Sequence, residues 1–216
     1  VSGPVLRLDH LTVIAPSLAE GLAHVHDCLG LSVPERSRHL YMGTHNHRMQ
    51  LGQGIYLEIV AVDPEGTPPG RPRWFGLDDA AQVAADWAAG RRLRGWVANC
   101  TDIPRVLGRH GDIFGTCAGL PFEAPEFGFT LRDDGGLPLE GAAPSLIDHR
   151  GDMAYIAALP DLGARLTGWE LHHPEPASMA ALFEALEVDR PPRLVSGPET
   201  RFRAEIDTPA GPRVLS

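Results

Sequence analysis

Several things are missing from this sequence, and each absence excludes a class of protein. No run of about 18 apolar residues occurs, and the chain does not open on a basic stretch followed by an apolar one. Neither a membrane span nor a signal peptide is expected, so the reading is a soluble, cytoplasmic protein without a membrane partner. Only three cysteines are present, Cys28, Cys100 and Cys117, with no zinc-finger or CxxC spacing. An odd number at irregular spacing predicts free thiols in a reducing setting rather than a disulfide framework. Lysine is absent altogether: all nineteen basic residues are arginine, which carries no functional assignment. Positive charge is in deficit, with a net charge of −9 and a pI near 5.5. That balance argues against nucleic acid, whose phosphates require a basic face. No glycine-rich dinucleotide loop, P-loop, nucleophile elbow or Cys/His nucleophile pair appears either, so dinucleotide, phosphoryl-transfer and covalent-hydrolase chemistry lack support.

What is present is a repeated pattern in a chain of 216 residues, long enough to bury a substantial core. "LRLDHLTVIAP" alternates, predicting a strand with Leu6, Leu8, His10, Thr12 and Ile14 on one face and Arg7, Asp9, Leu11 and Val13 on the other. A helix follows, with Ser17 as N-cap, Glu20 three residues on, Leu18, Leu22, Val25 and Leu29 at helical spacing, and Gly30 as the stop. Three short strands, "RHLYMGT", "HNHRMQLG" and "GIYLEIVAV", complete a β-α-β-β-β unit over residues 1–62. A Pro/Gly-rich connector and a helix in "DDAAQVAADWAAGRR" occupy 63–90. The pattern recurs over 91–160, from "RRLRGWVANC" through "TDIPRVLGRHG" to "AAPSLIDH". A shorter echo, a partial module, fills 161–216. Repetition on this scale predicts modules that bury faces neither could bury alone.

The fourth strand raises the chemical question, because Glu58 sits among Ile55, Tyr56, Leu57, Ile59 and Val60. A buried carboxylate needs a partner, an ion or a polar cavity. The order β-α-β-β-β twice, with "LDHLTVIAPSL" (His10), "GTHN" (Gly43–Asn46), "YLEIV" (Glu58), "RPRWFGLDD" (Arg71–Asp79) and "PSLIDH" (Pro144–His149), resembles the glyoxalase-like branch of the vicinal oxygen chelate superfamily. The resemblance implies an α+β fold of paired βαβββ modules whose curved sheet forms a cup, with His10 and Glu58 neighbours inside it. Alternation agrees: Ile55, Leu57, Ile59 and Ala61 are the set that faces the helices, leaving Tyr56, Glu58 and Val60 for the cup. On the preceding strand Thr44, Asn46, Arg48 and Gln50 face the same way. A turn at Gly52-Gln53-Gly54 then places Arg48 opposite Glu58 and Asn46 opposite Val60.

His10 and Glu58 resemble half of the ligand set of metal-binding members, which implies a divalent ion (Zn, Fe, Mn or Ni), with Glu58 also as the catalytic carboxylate. Gly95 aligns with His10 in the second module, a departure from that set, and Asp148 or His149 is the remaining candidate donor. An Arg48–Glu58 ion pair is the alternative account. Thr44, Asn46, Arg48 and Trp74 are the expected ligand-binding residues. Trp74 and Phe75 read as a lid over the cup or as a plug between modules, and Trp96 as pocket wall or core. His45 and His47 point away from Glu58, His24 and His26 lie on a helix at a spacing that cannot converge, and His172 and His173 read as a solvent-exposed pair. His39 and His110 have no evident partner. The expected function is a small-molecule enzyme, a metal-dependent isomerase, lyase or dioxygenase. The alternative is a metal-free binding or resistance-type protein on the same fold. The partner in either case is a small organic substrate or ligand, with a homodimer as the candidate assembly.

Overall fold

In a computed structural model, residues 6–152 and 154–216 are described; residues 1–5, which open the first expected module, lie outside them. The first unit runs β1 (Leu6–Ile14), α1 (Leu18–Leu29), β2 (Glu35–His39), β3 (Thr44–Gly52) and β4 (Ile55–Val62). The connector carries α2 (Ala80–Ala88). The second unit runs β5 (Leu93–Asn99), α3 (Ile103–Phe114), β6 (Thr116–Leu120), β7 (Phe127–Leu131) and β8 (Ser145–Asp148), followed by the short helix α4 (Ala154–Ala158). The last segment adds β9 (Arg165–His173), α5 (Pro176–Ala185), β10 (Val188–Asp189), β11 (Arg193–Ser196), β12 (Arg201–Thr208) and β13 (Gly211–Leu215).

The local signals act where they stand in the chain. Ser17 caps α1, accepting from the Glu20 amide, and Gly30 ends it at φ 70°, a conformation that suits a residue without a β-carbon. Asp79 and Asp102 cap α2 and α3 in the same way. The β3–β4 turn holds Gly52, Gln53 and Gly54 all at positive φ, and the ladder pairs Arg48 with Glu58 and Asn46 with Val60, as alternation predicts.

Both units join one sheet in the order β2-β3-β4-β1-β5-β8-β7-β6, with β10 paired to the start of β1. The two first strands, β1 and β5, are antiparallel neighbours at its centre, and each pairs in parallel with the last strand of its own unit. The sheet curls into a half-barrel, so the fold is α+β with paired modules forming a cup. On the convex side, α1 packs on β4 and α3 on β8. Leu57, Ile59 and Ala61 join Val25 and Leu29 there in the main core. The last segment forms its own sheet, β11-β9-β12-β13, and adds Leu171, Phe202, Ala204 and Ile206 to that core. Trp96 belongs to this interior: it meets Trp169 at 5.0 Å and Phe183 at 5.8 Å, and is core rather than pocket wall.

β1 departs from simple alternation. Leu6 packs in the main core with Leu11 and Val13, and Leu8 lies against it, whereas His10 lies in the cup. The reason is an irregularity in the β1–β5 pairing: Leu8 faces Ala98 and His10 faces Val97, so Asp9 is an extra residue with no opposite number. Such a bulge reverses the facing of everything beyond it and re-aims the bulged side chain. The His172–His173 pair is half-buried rather than solvent-exposed, with His172 Nε2 3.2 Å from Glu170.

Candidate functional site

The bulge decides the chemistry of the cup floor. Freed from strict alternation, Asp9 turns its carboxylate to His10, whose Nδ1 lies 2.6 Å from Asp9 Oδ1. Its second oxygen lies 2.8 Å from Nε2 of His149, the residue just past β8, so one carboxylate from the first module ties down an imidazole of the second. The other nitrogen of His10, Nε2, is 3.4 Å from Glu58 Oε2. Glu58 Oε1 accepts from Asn46 Nδ2 at 2.6 Å, and Asn46 Oδ1 accepts from Ser37 at 2.6 Å. An ionised carboxylate only accepts, which fixes the orientation of the Asn46 amide. Tyr56 stacks on His10, ring centroids 4.4 Å apart, and the Tyr155 hydroxyl of α4 reaches within 3.0 Å of His149 Nε2. Gln50 anchors α4 by donating to the Leu159 carbonyl at 2.8 Å. A continuous polar array therefore runs from Tyr155 through His149, Asp9, His10 and Glu58 to Asn46 and Ser37.

Asp9, His10 and Glu58 are all buried, so each charge depends on its neighbours. Burial works against a charged His10, but the hydrogen bonds and charges of Asp9 and Glu58 outweigh it and raise its pKa from 6.5 to about 9. Burial alone would likewise raise Glu58; the His10 hydrogen bond and charge, helped by His39 and Asn46, lower it from 4.5 to about 2. Asp9 is also lowered, its desolvation overcome by His10 and His149. At neutral pH the floor holds a cation between two anions. His39 differs: burial dominates, its pKa falls to about 4, and the ring stays neutral beside Thr44 Oγ1 (3.1 Å) and the Asn46 amide (3.4 Å).

Apart from the buried Asp9, these groups line a cavity of about 480 Å³, within the size range of small-molecule sites. His10, Glu58, Asn46 and Arg48 all border it. Thr44 is fully buried behind it, its hydroxyl occupied by His39. Trp74 borders it too, as part of an aromatic wall with Phe75 and Phe129 at 5.5 and 5.4 Å. Arg48 stands opposite Glu58 in the ladder, and the carboxylate is held by Asn46 and by an imidazolium pair with His10. Of the two further donor candidates, His149 enters the cup, whereas Asp148 accepts from the Arg150 backbone outside it. His45 lies near Asp63 and His47 meets the Val33 carbonyl, both away from the cavity.

Besides Ser37, which no sequence signal marked, three participants were missed in the sequence. Asp9 falls on the wrong face if pairing is regular, His39 lies on a strand, ERSRH, with no apolar alternation to orient it, and Tyr155 follows the last expected strand on a helix of five residues. The donor set also bears on the metal expectation. His10 and Glu58 do converge, yet among the described residues no three His, Cys, Asp or Glu side chains gather closely enough to hold an ion. Opposite His10 the second module presents Val97, and Gly95 pairs with Thr12. The described residues do not fit the three or four protein ligands of a zinc-type centre.

A solved structure of the same fold supports the architecture. A hypothetical protein from Staphylococcus aureus superposes with TM-score 0.59 at 11% identity, covering 91% of this chain and 88% of that one. Methylmalonyl-CoA epimerases from Mycobacterium tuberculosis and Streptomyces coelicolor align over 68% of this chain and 91% and 96% of theirs, at 16% and 14% identity and TM-score 0.39. No curated protein matches by sequence. The family model described as a glyoxalase-like domain matches residues 8–187, which takes in both modules of the cup and the polar array on its floor; the chain belongs to that glyoxalase-like family.

Proposed function

We propose that the protein is a small-molecule enzyme that transfers a proton on a polar organic substrate, an isomerase or lyase, with His10 and Glu58 as the reacting pair. The observation that carries this reading is the buried Asp9–His10–Glu58 array on the floor of an accessible cavity. Buried charged groups are costly and concentrate where chemistry requires them. Asp9 fixes the His10 ring through Nδ1, leaving Nε2–H directed at Glu58 and the cavity. A substrate carbonyl oxygen that accepts from Nε2–H takes over the interaction that holds Glu58 acidic. Burial then drives the Glu58 pKa upward, and the carboxylate becomes a base at the moment the carbonyl is polarised. The imidazolium in turn stabilises the enolate oxygen that forms as Glu58 takes the carbon-bound proton. Asn46 keeps Glu58 in place, and Arg48 borders the cavity as a fixed positive charge for polar substrate groups.

The two-donor floor also suits a metal-free binding protein, the second reading, in which the array only recognises its ligand. Hydrogen–deuterium exchange separates the two. Carbonyl compounds that bind are incubated with the protein in D₂O and followed by NMR. The enzyme reading expects exchange at the carbon next to the carbonyl, reduced at least ~100-fold in Glu58→Gln with binding retained. Binding with no exchange for any compound establishes the binding protein instead.

A further inference from the structure

The cavity has two unlike sides, and their chemistry specifies a ligand. One side is the polar array. The other comes from the second module and the connector: Trp74, Phe75, Phe127, Phe129 and Ile147 all border the cavity. Trp74 contacts both Phe75 and Phe129, while Phe75 and Phe129 stand perpendicular at 6.0 Å, so the wall presents ring faces and ring edges together. The aromatic surface continues to the mouth, where Tyr41 meets Trp74 at 6.0 Å and Phe122 at 6.4 Å, edge to face. Phe122 is 42% exposed, so this track reaches solvent. Rings favour other rings in offset or edge-to-face contact beyond the area they bury.

We propose that the ligand of this cup is a molecule with a planar ring and an oxygen-bearing polar end, the ring against Trp74 and Phe129 and the oxygen at His10. The inference rests on the functional reading for the role of the polar end, but binding tests it without any chemistry. Two matched pairs serve as probes: benzoate against cyclohexanecarboxylate, and benzyl alcohol against cyclohexylmethanol, each titrated by ligand-observed NMR. In at least one pair the planar member should bind about fivefold more tightly than its saturated counterpart. Phe129→Leu, which keeps an apolar side chain without the ring, should remove that preference. Trp74→Leu, at the other ring the ligand is placed against, provides the same test should Phe129→Leu melt early. Equal affinities within both pairs, no saturable binding of either planar probe, or a preference that survives in a folded leucine variant overturns the proposal. Ring binding without exchange of any bound carbonyl compound would end the enzyme reading and leave this one standing. Exchange of an acyclic carbonyl compound with no ring binding would do the reverse.

Discussion

The two halves of the cup are made from the same strand order and carry opposite chemistry. Around β1, β3 and β4 the first module presents His10, Asn46, Arg48 and Glu58, whereas β7 and β8 of the second present Phe129 and Ile147, and β5 sets Val97 across from His10. Of the polar groups that the second module side contributes, Glu126 stands just before β7, whereas His149, Asp152 and Tyr155 lie beyond the end of β8, and His149 is drawn to the first half by Asp9. A repeated pattern therefore reproduces a shape without reproducing a site. Helix-facing positions in both modules must stay apolar to fold, but cup-facing positions do not, so the two halves are free to diverge.

The largest expected break in this comparison is Asp9→Ala, which removes one carboxylate from two buried imidazoles and should cost about 3–5 kcal/mol in urea unfolding. Ile147→Val, on the apolar half, should cost about 0.5–1.5 kcal/mol. If the two variants are equally stable, the polar array is not what distinguishes the halves. Next comes pH. Glu58 is depressed in the folded state, so its contribution is complete above 4.5 and is lost as pH falls towards 2. His10 is raised, so its contribution is complete below 6.5 and is lost as pH rises through about 9, on the order of 3 kcal/mol. The array should hold the fold best between those two ordinary values, and His10→Gln should flatten the alkaline limb of the melting curve, whereas Ile147→Val should leave it in place.

A smaller effect is expected from Asn46→Ala, which leaves Glu58 and Ser37 without their amide partner at about 1–3 kcal/mol. Tyr155→Phe should cost about 1 kcal/mol, since it removes a single hydroxyl next to His149. The smallest effect belongs to chelation. Dialysis against EDTA should shift the melting temperature by less than about 1 °C, because a tightly held ion would stabilise the fold by mass action. A clear fall would show that the His10–Glu58 pair recruits an ion after all.

Much of the first half was legible because alternation and turn chemistry act locally. The glycines around Gln53 set the register, the register set Arg48 against Glu58, and the apolar set on β4 forced Glu58 inward. The partner of Glu58 was harder to read. Arg48 is its neighbour across the ladder, and Glu58 also meets His10 and Asn46, groups that the hairpin register alone does not set against it. Trp74 and Trp96 show the same division: both follow from sequence as large buried rings, but only packing sends one to the cavity and the other to the core against Trp169.

By itself, then, the sequence determined the β-α-β-β-β order, the caps, the hairpin register and the inward facing of Glu58, because each depends on residues close in the chain; that His10 is its neighbour was implied by the family resemblance. The tertiary structure alone decided that Asp9 is bulged out of the β1–β5 ladder, that its carboxylate spans from His10 to His149, and that Tyr155 closes the array. A bulge is a mismatch between two strands more than eighty residues apart in sequence, and no periodicity within either strand records it.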